Sequence, residues 1–184
     1  MSQRKSRRGS EAGTTAVEFA LVASVLFLLI GTLAETGAFM LIQAQLQFAT
    51  DTAARQIRVG NVGPATSEQG ARNQMDAGQF KQEICEKLYV SNCTAKIRID
   101  VRSNTSFARL RDNVPNPLQN VGPQQAGEIY TEAYAPGTRG QMGSLVVTYD
   151  WRFVFPPVAL LFGNVATFPR IRRLAAISIY RNEM

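Results

Sequence analysis

Residues Gly13–Ala34, "GTTAVEFALVASVLFLLIGTLA", decide the architecture of this chain. Thr14 to Ala34 are 21 positions with one charged side chain, Glu18. A helix rising about 1.5 Å per residue makes that run roughly 31 Å long, enough to cross the hydrocarbon core of a bilayer. The preceding "MSQRKSRRGSEAG" is polar and basic, with Arg4, Lys5, Arg7 and Arg8. Positive charge on that flank orients it toward the cytoplasm and puts everything after residue 35 outside. Glu18 is the anomaly. A carboxylate carried into hydrocarbon costs several kcal/mol by most estimates, so it must be neutralised or find a partner. A secretory signal peptide is the competing reading. The apolar stretch is long for one, and Ala34–Ala38 only loosely resembles a cleavage site.

The helical pattern continues past the membrane. Phe39, Ile42, Leu46, Ala49, Ala53 and Ile57 recur at spacings of three and four, which places them on one helix face. Gln43, Gln45, Gln47, Asp51, Arg55 and Arg58 mostly occupy the others. No proline interrupts residues 14–63, and Gly60–Asn61 with Gly63–Pro64 form a stop signal. The pattern predicts one helix of about 45 residues, apolar all round in its first half and amphipathic in its second.

Beyond it, Asp76 with Gln79 three residues later reads as the N-cap of a shorter helix reaching toward Tyr89, with Phe80, Ile84 and Leu88 on one face. In "TAKIRIDVRS", Ile97, Ile99 and Val101 alternate with Lys96, Arg98, Asp100 and Arg102, a half-buried strand with a solvated face. Residues 103–126 lack periodicity and read as a long loop, "GEIYTEAYA" as a strand, and "GTRGQMG" as a turn. "SLVVTYDWRFVF" is the longest strand expected, with Trp151, Phe153 and Phe155 in the core. "PPVALLFG" follows as a short apolar helix or turn, and "RIRRLAAISIY" is the last strand. There "RIRR" is read as a strand start and solvated face rather than a polyanion site. The expected fold class is α+β: a long N-terminal transmembrane and amphipathic helix packed on a small antiparallel-sheet head. The segments are 1–13 as a cytoplasmic leader, 14–34 as the membrane span, 35–60 as the outer continuation of the helix, and 61–184 as the head.

Composition narrows the functions. The chain has no histidine, which removes Ser-His-Asp triads, Cys-His dyads and imidazole zinc sites. No paired-carboxylate motif stands in their place, and the glycines at 137, 140 and 143 lack the Lys-Ser/Thr of a phosphate loop. No catalytic residue, metal site or cofactor is expected. The net charge is +6, but residues 1–13 hold four of the cations and Glu11, so the remainder carries +3. The basic balance is a terminal feature and no argument for nucleic acid as a partner. Cys85 and Cys93 are either a disulfide or two free buried thiols. A head outside the cytoplasm favours the bridge.

A basic leader, Gly13, then an apolar helix with Glu18 five residues on resembles a type IV prepilin processing site. "AGTTAVEFALV" is similar to the TadE/TadF-like pseudopilins of tight-adherence (Flp-type) pili. "ATDTAARQIRVGNV", "EICEKLYVSNC", "VVTYDWRF" and "ISIYRNE" resemble the same family, in order along the chain. The chain departs from it at the end, where a proline often follows the final Glu and Met184 stands here. Thr14 also lacks the aromatic ring of methylated pilin N-termini. The resemblance implies a pilin-like fold, a cut by a prepilin peptidase after Gly13, and Thr14 as the new N-terminus. Glu18 would then be the assembly and register residue. The implied partners are that peptidase, other pilin or pseudopilin subunits, the inner-membrane assembly platform and membrane lipid. The implied location is a single pass through a bacterial inner membrane, with the head in the periplasm or on the extracellular pilus. The alternative is a bitopic envelope protein whose head binds a partner and never enters a filament. Glu35, at the far end of the apolar run, reads as a marker of the outer membrane–water boundary.

Overall fold

The computed structural model describes residues 11–60, 62, 75–114, 116, 133–163 and 170–183. Its dominant element is α1 (Glu11–Arg58), 48 residues without a break. The expected helix is therefore present, and its two halves differ as the pattern requires. The outer half of α1 lies against a three-stranded antiparallel sheet of β1 (Ile97–Asn104), β2 (Met142–Arg152) and β3 (Ile171–Arg181), in that spatial order. The register aligns Ile97 with Tyr149 and Tyr149 with Leu174, and three rows on it aligns Asp100 with Val146 and Val146 with Ile177. The architecture is α+β.

The core forms where the amphipathic stripe of α1 meets one face of that sheet. Phe39, Ile42, Leu46, Ala49, Ala53 and Ile57 are all buried. Opposite them lie Ile97, Ile99 and Val101 of β1, Leu145, Val147 and Tyr149 of β2, and Leu174, Ala176 and Tyr180 of β3. The period of two in the strands and of three to four in the helix bring these sets together. Helix α2 (Ala77–Glu86) closes one end with Phe80 and Ile84, and Leu88 beyond it is buried too. Its start is the expected capping box: the Gln79 amide donates to Asp76 Oδ1 at 2.7 Å, and the Asp76 amide donates to Gln79 Oε1 at 3.1 Å. A short turn, α3 (Cys93–Lys96), follows Asn92, whose φ of 55° lies in the left-handed region that asparagine tolerates.

At the edge of the sheet, β3 leaves backbone carbonyls open on its outer side, a liability that proteins usually cover. Here α1 covers it: Gln43 Nε2 donates to the Ala175 carbonyl at 3.0 Å, and Gln47 Nε2 reaches that of Ile177 at 3.5 Å.

Several local expectations are corrected. Asp100 was placed on a solvated face and is fully buried. The reason is long-range: the segment around Tyr134 lies along the free edge of β1, with Val101 donating to the Ala133 carbonyl and Ala135 donating to that of Val101. Asp100 there accepts from the Ala133 amide at 3.1 Å and is clasped by Arg102 at 2.7 and 3.0 Å. The stretch 103–126 is not all loop. β1 runs to Asn104, and α4 (Phe107–Asn113) follows with Leu110 buried beneath it. Of "GEIYTEAYA", residues 127–132 lie outside the described residues, and Tyr134 makes a single bridge rather than a strand. The aromatic alternation ends with β2 at Arg152: Phe153 is buried, Trp151 half-buried, and Phe155 exposed at 36%. "RIRR" does start a strand, but only Arg170 of it is solvated. Arg173 is buried and clasps Asp150 at 2.7 and 3.0 Å. Arg172 lies 5.3 Å from the Phe39 ring centre and donates to the Phe162 carbonyl at 2.8 Å. The short apolar element after β2 is helical: α5 (Pro156–Phe162).

Candidate assembly and membrane-contact site

The first half of α1 is largely uncovered by the rest of the described protomer. Val17, Phe19, Leu21, Val22, Val25 and Phe27 each expose more than three-fifths of their surface, and the most apolar window of the helix is wholly uncovered. By length and composition this helix is able to cross a membrane. Large apolar side chains bared along about 30 Å of helix cannot be left in water, because each fully exposed Leu or Phe forgoes about 2 kcal/mol of burial. They need lipid or other helices.

Gly13, Thr14 and Glu18 lie on this bare stretch, all exposed. Gly13 is inside α1, and a side chain there would meet nothing within 4 Å. Thr14 and Glu18, four residues apart, fall one turn apart on one face. The structure therefore gathers the three sequence-derived residues within about two turns of helix. It does not bring them near the head, whose first close approach is Phe155 against Gly31, about 20 Å of helix beyond Glu18. Cys85 and Cys93 belong to the head, where they form a disulfide with a Cα–Cα separation of 5.7 Å. That bridge ties the end of α2 to α3, well away from the bare helix.

The join between span and head is held by Glu35, which the sequence marked only as a boundary. It is buried. Its carboxylate accepts hydrogen bonds from the Val154 and Phe155 amides, the latter at 3.0 Å. The chain requires such an acceptor here. After β2 the Phe153 amide still donates across to the Arg170 carbonyl, but the amides of Val154 and Phe155 lie past the ladder, and Pro156 and Pro157 follow at the start of α5. The outer edge of the Phe155 ring then meets α1 at Gly31, where a Cβ would come within 2.5 Å of it. The absent side chain at Gly31 makes that approach possible. The partners are 119 and 120 residues apart in sequence, so nothing local predicted the contact. The two prolines that end the strand run were the one usable signal.

Residues 13–55 match a family model described as TadE-like protein. The resemblance read from "AGTTAVEFALV" is thus borne out over α1, while the head motifs quoted with it lie beyond the matched residues. No curated protein and no solved structure matches the chain.

Proposed function

We propose that this chain, TadE-like over residues 13–55, is a minor pilin or pseudopilin of a tight-adherence pilus. The TadE-like segment implies involvement in Tad pilus assembly, with other pilus components as partners, and the apolar helix suggests membrane anchoring. The observation that carries the finer reading is the division of α1. One half is locked into a head. The other is bare, apolar and marked by a single carboxylate.

In this reading residues 1–13 are a cytoplasmic leader, and a prepilin peptidase cuts after Gly13. The product begins at Thr14 and is held by residues 14–34 in the inner membrane, with its head in the periplasm. The cut creates an α-amine on Thr14. In a bundle of such helices, Glu18 of one subunit pairs with the Thr14 amine of a neighbour. Pairing offsets the cost of both charges in an apolar surrounding, and any other axial stagger strands them. Glu18 near the positive N-terminal end of its own helix dipole contributes a little more. The charge thereby selects one packing register as the helix passes from lipid to filament. The role is structural, with no cofactor.

Glu18→Ala tests this. The variant is expected to be cut and to remain in the membrane, but to be lost from sheared filaments along with pilus-dependent attachment. Normal attachment would instead support the bitopic envelope protein whose head acts outside any filament. Mass spectrometry of the mature N-terminus checks the processing step separately: an intact Met1, or a cut near Ala38, rules it out.

A further inference from the structure

The head carries an apolar tip at the level of the outer end of the membrane span. Val154, Leu160 and Leu161 each expose more than three-quarters of their surface, and Phe155 exposes 36%. All four belong to α5 and the two residues before it. The height of Val154 and Phe155 along α1 is fixed twice, by Phe155 against Gly31 and by Glu35 holding the two amides, while the far end of α5 is held further out, with the Phe162 ring 5.7 Å from that of Phe39. Gly31 is inside the apolar run that ends at Ala34, so the tip begins about 5 Å below its outer limit. That is the depth at which interfacial apolar groups bury themselves in a bilayer. Two exposed cations flank the tip, Arg152 at the end of β2 and Arg170 before β3. Phe153 donates to the Arg170 carbonyl at 2.8 Å, which sets Arg170 opposite Phe153 and one position along from Arg152.

We propose that this tip is a second membrane contact. α5 with Val154 and Phe155 enters the outer leaflet of the bilayer that α1 spans, and Arg152 and Arg170 meet the phosphates of anionic lipid. Lipid is the occupant because the tip continues the bare surface of α1 at the same height, and because its apolar end and cationic rim follow the order of acyl chain and headgroup. The contact fixes the head against the membrane at one tilt, with Glu35 as the residue that transmits it to α1. The inference rests on reading residues 14–34 as a membrane span.

The test uses the full chain reconstituted into vesicles. Trp151 is the sole tryptophan, so single-tryptophan variants are made in a Trp151→Phe background. Leu160→Trp and, independently, Val154→Trp probe the tip. Phe27→Trp probes the span, and Arg139→Trp probes the far end of the head, about 30 Å of strand away. If Trp151→Phe disturbs the circular dichroism, the same variants are read as differences from the parent with Trp151 retained. With lipids brominated on their acyl chains, the tip probes are expected to emit at shorter wavelength than the probe at 139 and to lose most of their intensity, as the probe at 27 does. Quenching at 27 with water-like, unquenched emission at 154 and 160 overturns the proposal while leaving the span intact. Blue-shifted but unquenched emission there also overturns it, since protein rather than lipid then covers the tip. No quenching at 27 means that the span reading itself has failed. Adding phosphatidylglycerol to phosphatidylcholine vesicles is expected to raise quenching at 160, and Arg152→Gln with Arg170→Gln to abolish the increase. Equal quenching in both lipids refutes the role of the cations.

Discussion

At the scale of single residues, two carboxylates of the long helix, Glu18 and Glu35, have opposite settings. Glu18 is exposed on a bare apolar surface, and in the proposed reading its partner comes from another subunit. Glu35 is buried and fully engaged within its own chain, accepting from two backbone amides. Removing one member of a buried charge-assisted pair leaves the other unsatisfied. Glu35→Ala is therefore expected to destabilise the head by about 2–4 kcal/mol, and Glu35→Gln, which keeps one acceptor oxygen, by less. Denaturant titration of the full chain in detergent micelles measures both. Tyr134 offers a second check. Its hydroxyl donates to the Met75 carbonyl at 3.0 Å and its ring meets Phe80. Burial, and then the nearby Asp76 and Glu83, push it from 10.0 up to about 12. The neutral phenol is the folded form, so this contribution is complete below pH 10 and is lost as pH rises toward 12, where the unfolded chain has already released its proton. The thermal midpoint is expected to fall over that window, and Tyr134→Phe to flatten the fall while lowering the midpoint at neutral pH.

At the scale of elements, the stripe of α1 was legible because a period of 3.6 admits one arrangement of apolar side chains, and every residue assigned to it is buried. The capping box of α2 was legible for the same reason: Asp76 and Gln79 satisfy each other's backbone locally. α4 was missed because its "FARLRDN" is one short run with a single buried anchor, Leu110, too little to display a period. The disulfide joins elements too small to hold one another. A bridge of this loop size contributes about 2.5 kcal/mol in the chain-entropy account. Cys85→Ser with Cys93→Ser is expected to cost about that much in the same denaturation experiment, with the mobility of the parent on gels changing on reduction. Leu46, fully buried between helix and sheet, sets the scale of the core: Leu46→Ala is expected to cost about 3–4 kcal/mol.

At the scale of the whole molecule, the chain is a bare helix joined to a head that grips the helix's outer half. If the bare half exists to meet other subunits, Glu18→Ala changes assembly and leaves the denaturation midpoint of the head untouched, since Glu18 is exposed and meets none of the described residues of the head. A fall in that midpoint would point to a role within the protomer. By itself the sequence determined the helix, its apolar and amphipathic halves, the candidate processing and register positions Gly13, Thr14 and Glu18, and the facing sides of the strands. These follow from local period, composition and spacing, which are written along the chain. Only the tertiary structure decided the burial of Asp100, the inward clasp of Arg173, the glutamines that cover β3, and the seat of Glu35 beneath Val154 and Phe155. Each depends on groups that are distant in sequence. Which backbone amides lack a ladder partner, and which carboxylate lies within reach of them, is settled only when helix and sheet have packed.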